Sequence, residues 1–227
     1  MPTIISAEGT ALEGSYMKHV LLMNPNTSVA TTAAMVRIAS DILPGIQGWT
    51  APQGPEMIVT ESALDAAAIV VSGAQLPDLR GVIVSAFGDP GRDALAHRLL
   101  CPVVGIGQAA ACEARQTGCF AVVTTTPGLQ GRIDALMQSH ADKSTYLGCY
   151  LTPGDPIDLM KDSGRLDSAL LLASECAAAD GARAVIIGGG PLGQAADRLS
   201  SCASVPLVAP IRAAARQMRD SLKRAPT

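Results

Sequence analysis

The chain has 227 residues, of which 48% are hydrophobic, 16% charged and 3% aromatic. This composition is typical of a globular protein with a sizeable core, and it excludes a disordered chain. The formal net charge is −3, and no basic run is interleaved with aromatic residues, so no nucleic-acid partner is expected. No apolar run approaches the roughly 18 residues that a membrane span needs, so no membrane partner is expected either.

The predicted elements alternate between strands and helices along the whole chain. The predicted strands are 20–23, 47–50, 82–85, 102–106, 120–123, 146–151, 185–187 and 205–208. The predicted helices are 31–42, 62–71, 93–100, 109–116, 130–138, 168–179 and 218–224, the last as an exposed helix end. Such alternation predicts parallel sheets with right-handed crossovers, and therefore an α/β fold.

The segment before the first predicted strand differs from the rest of the chain. Residues 1–16 lack the basic start and the apolar stretch of a signal peptide, so we expect an N-terminal extension ahead of the folded chain. The six cysteines form no CxxC pair, and the three histidines are far apart in sequence. We therefore expect reduced thiols, a cytoplasmic location, no metal site and no cofactor.

Two strand-to-turn segments repeat. VIVSAFGDPG at 82–91 and VIIGGGPLG at 185–193 each lead from a β-branched strand into a turn rich in glycine and proline. Ala86 and Gly189 are 103 positions apart, and Pro102 and Pro206, in the strands that follow, are 104 positions apart. This repeat indicates that the chain consists of two duplicated halves. We expect the first half over 17–110 and the second over 111–205. The last strand and the C-terminal helix, over 206–227, can pack back on the first half.

Four turns follow the carboxyl ends of predicted strands, where parallel sheets bind their ligands. Their sequences are NPNTS at 24–28, AFGDPG at 86–91, TTTPG at 124–128 and GGGPLG at 188–193. A pseudo-twofold relation between the halves would bring all four turns to one cleft. The hydroxyls of NPNTS at a helix N-terminus suit a bound anion, although an ordinary capped turn explains the same residues.

These motifs, together with PVVGIGQAA at 102–110 and VVTTT at 122–126, resemble the aspartate/glutamate/hydantoin racemase superfamily, and its hydantoin racemase branch most closely. The resemblance extends over residues 18–216. It implies two Rossmann-like α/β halves related by a pseudo-twofold axis, each a parallel four-stranded sheet flanked by helices. It also implies a site at their interface, a small-molecule substrate and a homo-oligomer.

Racemases of this superfamily use two cysteines, one from each half, on opposite faces of the acidic carbon. Inversion needs a base on one face and an acid on the other. The family positions correspond here to Ala86 and Gly189, and neither side chain can carry a proton. No cysteine of the chain adjoins one of the four turns at a strand carboxyl end, so we expect all six to be packing residues.

Candidate site residues lie in the four turns and near the loop after the second strand. Asp89 is the candidate acid or base, with a helix cap as the alternative. Glu61 is the second catalytic candidate, with Glu56 nearby and surface exposure as the alternative for both. The expected substrate-binding residues are Asn24, Asn26, Thr27, Ser28, Ala86, Phe87, Gly88, Thr124, Thr125, Thr126, Gly189, Gly190 and Pro191, whose hydroxyls, amides or backbone could bind a carboxylate, a ring carbonyl or a developing oxyanion.

Three functions remain compatible with these residues. Because the binding turns are present and the thiol pair is missing, we expect an enzyme that acts on a hydantoin-like ring, such as a thiohydantoin, or a small carboxylic acid by non-racemising chemistry. Hydrolysis, desulfuration or another lyase-type reaction would fit. The alternatives are a hydantoin or amino-acid racemase with non-cysteine bases and a non-catalytic small-ligand-binding protein. Loss of optical rotation without a change of mass would identify racemisation.

Overall fold

The computed structural model describes residues 4–5, 18–142, 144–189 and 192–224. The strands are β1 (Ile4–Ile5), β2 (Val20–Asn24), β3 (Gln47–Thr50), β4 (Gly81–Val84), β5 (Val103–Gly105), β6 (Phe120–Thr124), β7 (Tyr146–Leu151), β8 (Ala184–Ile187) and β9 (Leu207–Val208). The helices are α1 (Val29–Ser40), α2 (Glu61–Gly73), α3 (Arg92–Arg98), α4 (Ile106–Ala114), α5 (Gln130–His140), α6 (Pro156–Leu159), α7 (Ser163–Ala179), α8 (Gly193–Leu199) and α9 (Pro210–Arg224).

The strands form two sheets, one in each half of the chain. The first has the order β1-β3-β2-β4-β5 and the second the order β7-β6-β8-β9. Strands β2 to β5 pair with one another in parallel, as do β6 to β9. The order β3-β2-β4-β5 therefore corresponds to β7-β6-β8-β9, which confirms the predicted α/β fold with two related parallel four-stranded sheets.

The first sheet also has a strand that the sequence did not predict. Ile4 pairs with Trp49 and Ile5 with Gly48, so β1 lies antiparallel on the edge strand β3. An edge strand offers a row of unpaired backbone groups that a short apolar segment can join. The N-terminal extension over 1–16 stays a prediction, and two of its residues pair with the first sheet.

The central strands β2 and β6 place the site. Their sequences VLLMN and FAVVT are buried at all five positions, because helices cover both faces of a parallel sheet. Each strand is apolar until its last residue, where it ends in a buried polar side chain, Asn24 in β2 and Thr124 in β6. The two polar strand ends are equivalent positions of the two halves.

A shared core joins the halves. Leu22 and Ile83 of the first sheet belong to the same buried cluster as Val122 and Ile186 of the second. Helices α4 and α9 pack against each other and contribute alanines to this cluster. Small side chains allow the backbones to approach closely: a Cβ on Gly81 of β4 would lie 2.5 Å from the Met218 Sδ of α9.

Several helices differ from the prediction. Helix α9 begins at Pro210 rather than at residue 218, and Met218 is fully buried instead of lying on an exposed end. Helices α6 and α8 were not predicted. The missed signals for α6 and for the early start of α7 are aspartate caps, because Asp155 accepts hydrogen bonds from the first amides of α6 and Asp162 from those of α7. The domain boundaries after residues 110 and 205 stay predictions.

Within the described residues, no helix combines the length and apolarity that crossing a bilayer requires.

Candidate functional site

A cavity opens between the two sheets at the carboxyl ends of their strands. It encloses about 650 Å³, including its mouth. Both halves contribute to it. The lining residues are Asn26, Thr31, Met57, Ile58, Ser85, Ala86 and Phe87 from the first half and Thr125, Thr126, Leu129, Ile133, Met160, Gly188, Gly189 and Leu192 from the second.

The turn after β2 reaches the cavity through Asn26. The buried Asn24 side chain donates to Asn26 Oδ1 over 2.7 Å and to Thr32 Oγ1 over 3.0 Å, so it holds the turn from beneath. Ser28 Oγ accepts from the Thr31 amide and caps α1. Thr27 is hydrogen-bonded to the backbone of the loop after β3. Of the four residues predicted here, only Asn26 lines the cavity.

Asn26 is oriented by two hydrogen bonds to its side-chain oxygen. Oδ1 accepts from Asn24 Nδ2 and from the Ser28 amide, the latter over 2.9 Å. These bonds occupy Oδ1 and fix the orientation of the side-chain amide. Nδ2 makes no hydrogen bond to a described residue, so it is the group of this side chain that a ligand could use. The first half thus offers the cavity an uncharged double donor.

The equivalent turn of the second half begins at Thr124. The Thr124 hydroxyl donates to the Gly188 carbonyl over 3.0 Å and lies 3.0 Å from Thr126 Oγ1. Thr124 therefore holds the β8 turn in place, while Thr125 and Thr126 line the cavity. Thr125 is buried, and its hydroxyl has no hydrogen-bond partner among the described residues.

The turns after β4 and β8 face one another across the cavity. Ala86 and Phe87 line it from the first half, and Gly188 and Gly189 line it from the second. A Cβ on Gly188 would lie 3.5 Å from Phe87 Cδ1, so the phenyl ring packs against this backbone. The amides of Ala86 and Gly189 donate to no described residue.

Gly88, which was also predicted to bind substrate, is not among the described lining residues. Gly88 packs beneath α2, where a Cβ would lie 2.9 Å from Leu64 Cδ2. Gly190 and Pro191 lie outside the described residues.

Asp89 has its carboxylate on the N-terminus of α4. Oδ1 accepts from the Gly107 amide over 2.8 Å and Oδ2 from the Gln108 amide over 2.7 Å. Burial raises the pKa of Asp89 to about 6, against the opposing effects of these two amides and of Arg92. Asp89 does not line the cavity, so the geometry favours the helix-cap alternative over direct acid–base work.

Glu61 and Glu56 are likewise outside the lining. Both side chains are exposed. Glu61 begins α2, and its Oε1 would lie 3.5 Å from a Cβ on Gly131 of α5. Its carboxylate therefore faces a helix of the other half. The neighbours of Glu56, Met57 and Ile58, reach the cavity in its place.

An apolar wall was missed by the sequence analysis. It consists of Met57, Ile58, Leu129, Ile133 and Met160. Leu129 and Ile133 are four residues apart on the turn and helix after β6, the spacing of a helix face. That spacing was a usable signal, but it is equally typical of ordinary core packing.

Titratable groups are absent from the described lining residues, all of which are uncharged. None of the six cysteines is among them, and all six are free thiols. Burial raises the pKa of Cys149 to about 12, so this thiol stays protonated at neutral pH. Across the described part of the chain, no three His, Cys, Asp or Glu side chains are grouped so that they could hold a metal ion.

Known proteins are similar to this chain in sequence and in fold. The model of the Asp/Glu/hydantoin racemase family matches residues 20–218. Hydantoin racemases from Paenarthrobacter aurescens and Rhizobium meliloti are each 26% identical over 87% of this chain, which covers 88% and 86% of those proteins. The crystal structure of allantoin racemase from Pseudomonas fluorescens is 25% identical over 91% of each chain, with a TM-score of 0.81.

These relatives overturn the leading functional expectation. They are named as racemases, whereas the missing thiol pair led us to expect hydrolysis, desulfuration or another lyase-type reaction. That expectation is wrong. It treated the two cysteines as the part of the site on which racemisation depends, although the likeness to a racemase extends over almost the whole of both chains.

Proposed function

Because the chain belongs to the Asp/Glu/hydantoin racemase family, we propose that it is a racemase acting on the acidic carbon of a small, neutral, hydantoin-like ring. The observation that carries the proposal is the uncharged cavity between the halves, with hydrogen-bond donors from both and one apolar wall. The names of the relatives support the reaction. Cytoplasmic location and homo-oligomeric state stay predictions.

The lining favours a neutral ligand over an amino acid. A zwitterion or a dicarboxylate would place charge where no described lining residue offers a countercharge, and burying unpaired charge is costly. A cyclic amide instead presents carbonyl oxygens, which can accept from Asn26 Nδ2 and backbone amides, and N–H groups, which can donate to a hydroxyl such as that of Thr125. The apolar wall would then accept a hydrocarbon substituent on the ring.

The donors account for activation of the substrate. A hydrogen on a carbon beside a ring carbonyl is acidic because the electron pair of the broken C–H bond delocalises onto the carbonyl oxygen. Donors placed around that oxygen stabilise the enolate as it forms. The amides of Ala86 and Gly189 and the hydroxyl of Thr125 have no competing partner among the described residues, so they suit this role.

Solvent carries the proton in this proposal. Hydroxide removes the hydrogen as water and leaves the enolate, and water then returns a proton to either face and regenerates hydroxide. Bound solvent replaces the two thiols in this scheme, because neither Ala86 nor Gly189, the positions that correspond to the family cysteines, carries an acid–base group. The rate should therefore rise about tenfold per pH unit, as expected for first-order dependence on hydroxide.

The test is incubation of the protein with an enantiopure 5-alkylhydantoin in D₂O. We expect loss of optical rotation and, after the N–D groups have been exchanged back in H₂O, one deuterium at the chiral carbon and no other change of mass. Iodoacetamide should leave the rate unchanged, because no cysteine lines the described cavity. The substrate in buffer alone gives the background. Ring opening, or binding without loss of rotation, would contradict the proposal.

A second prediction concerns Thr125. Valine has nearly the shape of threonine but replaces the hydroxyl with a methyl group, so Thr125→Val should lower kcat about a hundredfold, the lower end of the range seen for loss of one oxyanion donor. Ser139→Ala, which removes an exposed hydroxyl on α5, is the matched control. Equal rates for the two variants would exclude Thr125 as an enolate donor.

A further inference from the structure

We propose that Asp89 is a positioning residue of the cavity: its carboxylate, held by the first amides of α4, fixes the turn that places Ala86 and Phe87 against the second half. The expected effect of Asp89 on the reaction rate rests on the proposed function. Its effect on the position of the turn is a property of the fold alone. Asp89 neither lines the cavity nor reaches the substrate in this scheme.

The turn after β4 folds around Asp89. Its amide donates to the Ala86 carbonyl over 3.0 Å, and its own carbonyl accepts from the Arg92 amide over 3.2 Å. Asp89 has a φ of 50°, the one positive φ of a non-glycine residue in the described chain. Such a backbone persists only where surrounding contacts determine it, and here the carboxylate supplies them.

The space around the carboxylate is shaped for it. A Cβ on Gly105 would overlap the Asp89 carboxyl group. A Cβ on Gly107 would lie 3.3 Å from Asp89 Oδ2 and 2.6 Å from Leu136 Cδ2 of α5. Two glycines thus let the first-half turn, the start of α4 and a helix of the second half meet at one carboxylate.

This junction is connected directly to the cavity. Phe87, two residues before Asp89, lines the cavity and packs against Gly188 of the second half. The Gly188 carbonyl is in turn held by Thr124. Loss of the carboxylate's hydrogen bonds should therefore displace Ala86 and Phe87, and with them the Gly188 turn.

The carboxylate needs its charge to hold both amides. Each oxygen accepts one N–H, and protonation turns one of the two acceptors into an O–H group. The charged groups acting on it are Arg92 and Asp93 of α3, while α4 presents backbone amides and α5 presents Leu136. With a pKa of about 6, Asp89 changes its charge within an accessible pH range.

The kinetic test compares native protein with Asp89→Asn across pH. Asparagine tolerates a positive φ but can accept only through one atom, like the protonated acid. Above about pH 7 the native protein should be faster by about tenfold to a hundredfold, the loss expected when reacting groups are displaced by an ångström. The ratio should fall as pH decreases through 6, and the two rates should converge towards pH 4, where only about 1% of a carboxyl group with this pKa is ionised. A ratio that does not change with pH would overturn the proposal.

A second variant displaces the carboxylate without removing it. Gly105→Ala should lower kcat as Asp89→Asn does, because the added methyl overlaps the carboxyl group. Gly73→Ala, at an exposed glycine of α2 where a Cβ would meet nothing within 4 Å, is the matched control and should retain the native rate. Native kcat in Gly105→Ala, with the fold intact by circular dichroism, would overturn the proposal.

A readout without substrate separates this inference from the proposed function. In NMR spectra, the Gly188 amide should shift with the titration of Asp89 in native protein and stay constant in Asp89→Asn. If only the Gly107 and Gln108 amides respond, Asp89 is a local helix cap and the inference fails. Absence of turnover by native protein with the Gly188 response present would overturn the proposed function alone.

Discussion

A cysteine pair at positions 86 and 189 should accelerate racemisation by about 10²- to 10⁴-fold over the native protein, the usual contribution of positioned acid–base groups. Both positions line the cavity, one from each half, so thiols there would face the ring carbon from two sides. One thiolate would take the proton as the opposite thiol delivers one. The rate should then follow a bell-shaped pH profile instead of rising steadily with hydroxide.

Position 189 resists a side chain in two ways: its φ of 159° is one that side chains rarely adopt, and Leu192 occupies the adjacent space. The backbone strain is the same in the cysteine and serine variants, and the contact with Leu192 can be removed. A Cβ on Gly189 would lie 2.9 Å from Leu192 Cδ1, so Ala86→Cys/Gly189→Cys is combined with Leu192→Ala. The matched control carries Ala86→Ser/Gly189→Ser with the same Leu192→Ala change, which keeps the size and removes the thiols. Iodoacetamide should inactivate the cysteine variant and spare the serine control. Equal rates in the two variants would show that these turns do not face the reacting carbon.

The second large effect is on stability, and it comes from the raised pKa of Asp89. Its folded pKa of about 6 exceeds the ordinary value of 3.8, so the folded state binds this proton more tightly than the unfolded state does. The protonated Asp89 carboxyl group therefore makes its full contribution to folding stability below about pH 3.8, and this contribution is lost as pH rises through 6. A shift of this size corresponds to about 3 kcal/mol of unfolding free energy.

Urea unfolding from pH 3.5 to 8 measures this effect. The difference in unfolding free energy between native protein and Asp89→Asn should change by about 3 kcal/mol in favour of the variant as pH rises, because the amide does not titrate. Taking the difference cancels the carboxylates that both proteins share. A difference that is constant with pH would mean that Asp89 has an ordinary pKa in the folded protein.

The two Asp89 predictions together describe a compromise. The ionised carboxylate is the less stable form of the buried group, yet it is the form that accepts both α4 amides. If both predictions hold, the protein gives up stability at neutral pH to keep the cavity turn in place. Asp89→Asn should then become relatively more stable and remain slower over the same pH interval.

The sequence was informative where a pattern was repeated. The buried strands β2 and β6, and the turns after β4 and β8, follow the apolar runs and glycine positions that the duplication revealed. Residues Ala86, Phe87 and Gly189 line the cavity because equivalent strands end at equivalent places in the two halves. A parallel topology fixes such strand ends without any knowledge of side-chain contacts.

Single side chains were less predictable, because their direction depends on tertiary contacts. Asp89 belongs to a turn at the cavity, but the two glycines that receive its carboxylate are in another strand and helix. Met160 reaches the cavity from a segment that the sequence indicated only as a loop. The short strand β1 depends on a free sheet edge, which no local pattern in residues 1–16 announces.

Helix α9 has a consequence for the order in which the protein can fold. It follows the entire second half in the chain, yet its Ile211 and Met218 belong to the core that also contains Leu22 and Ile83. During synthesis, the first sheet therefore emerges with this part of its core uncovered until α9 leaves the ribosome. A nascent chain stalled before residue 210 should expose that apolar surface and bind a chaperone, and release of α9 should end the binding.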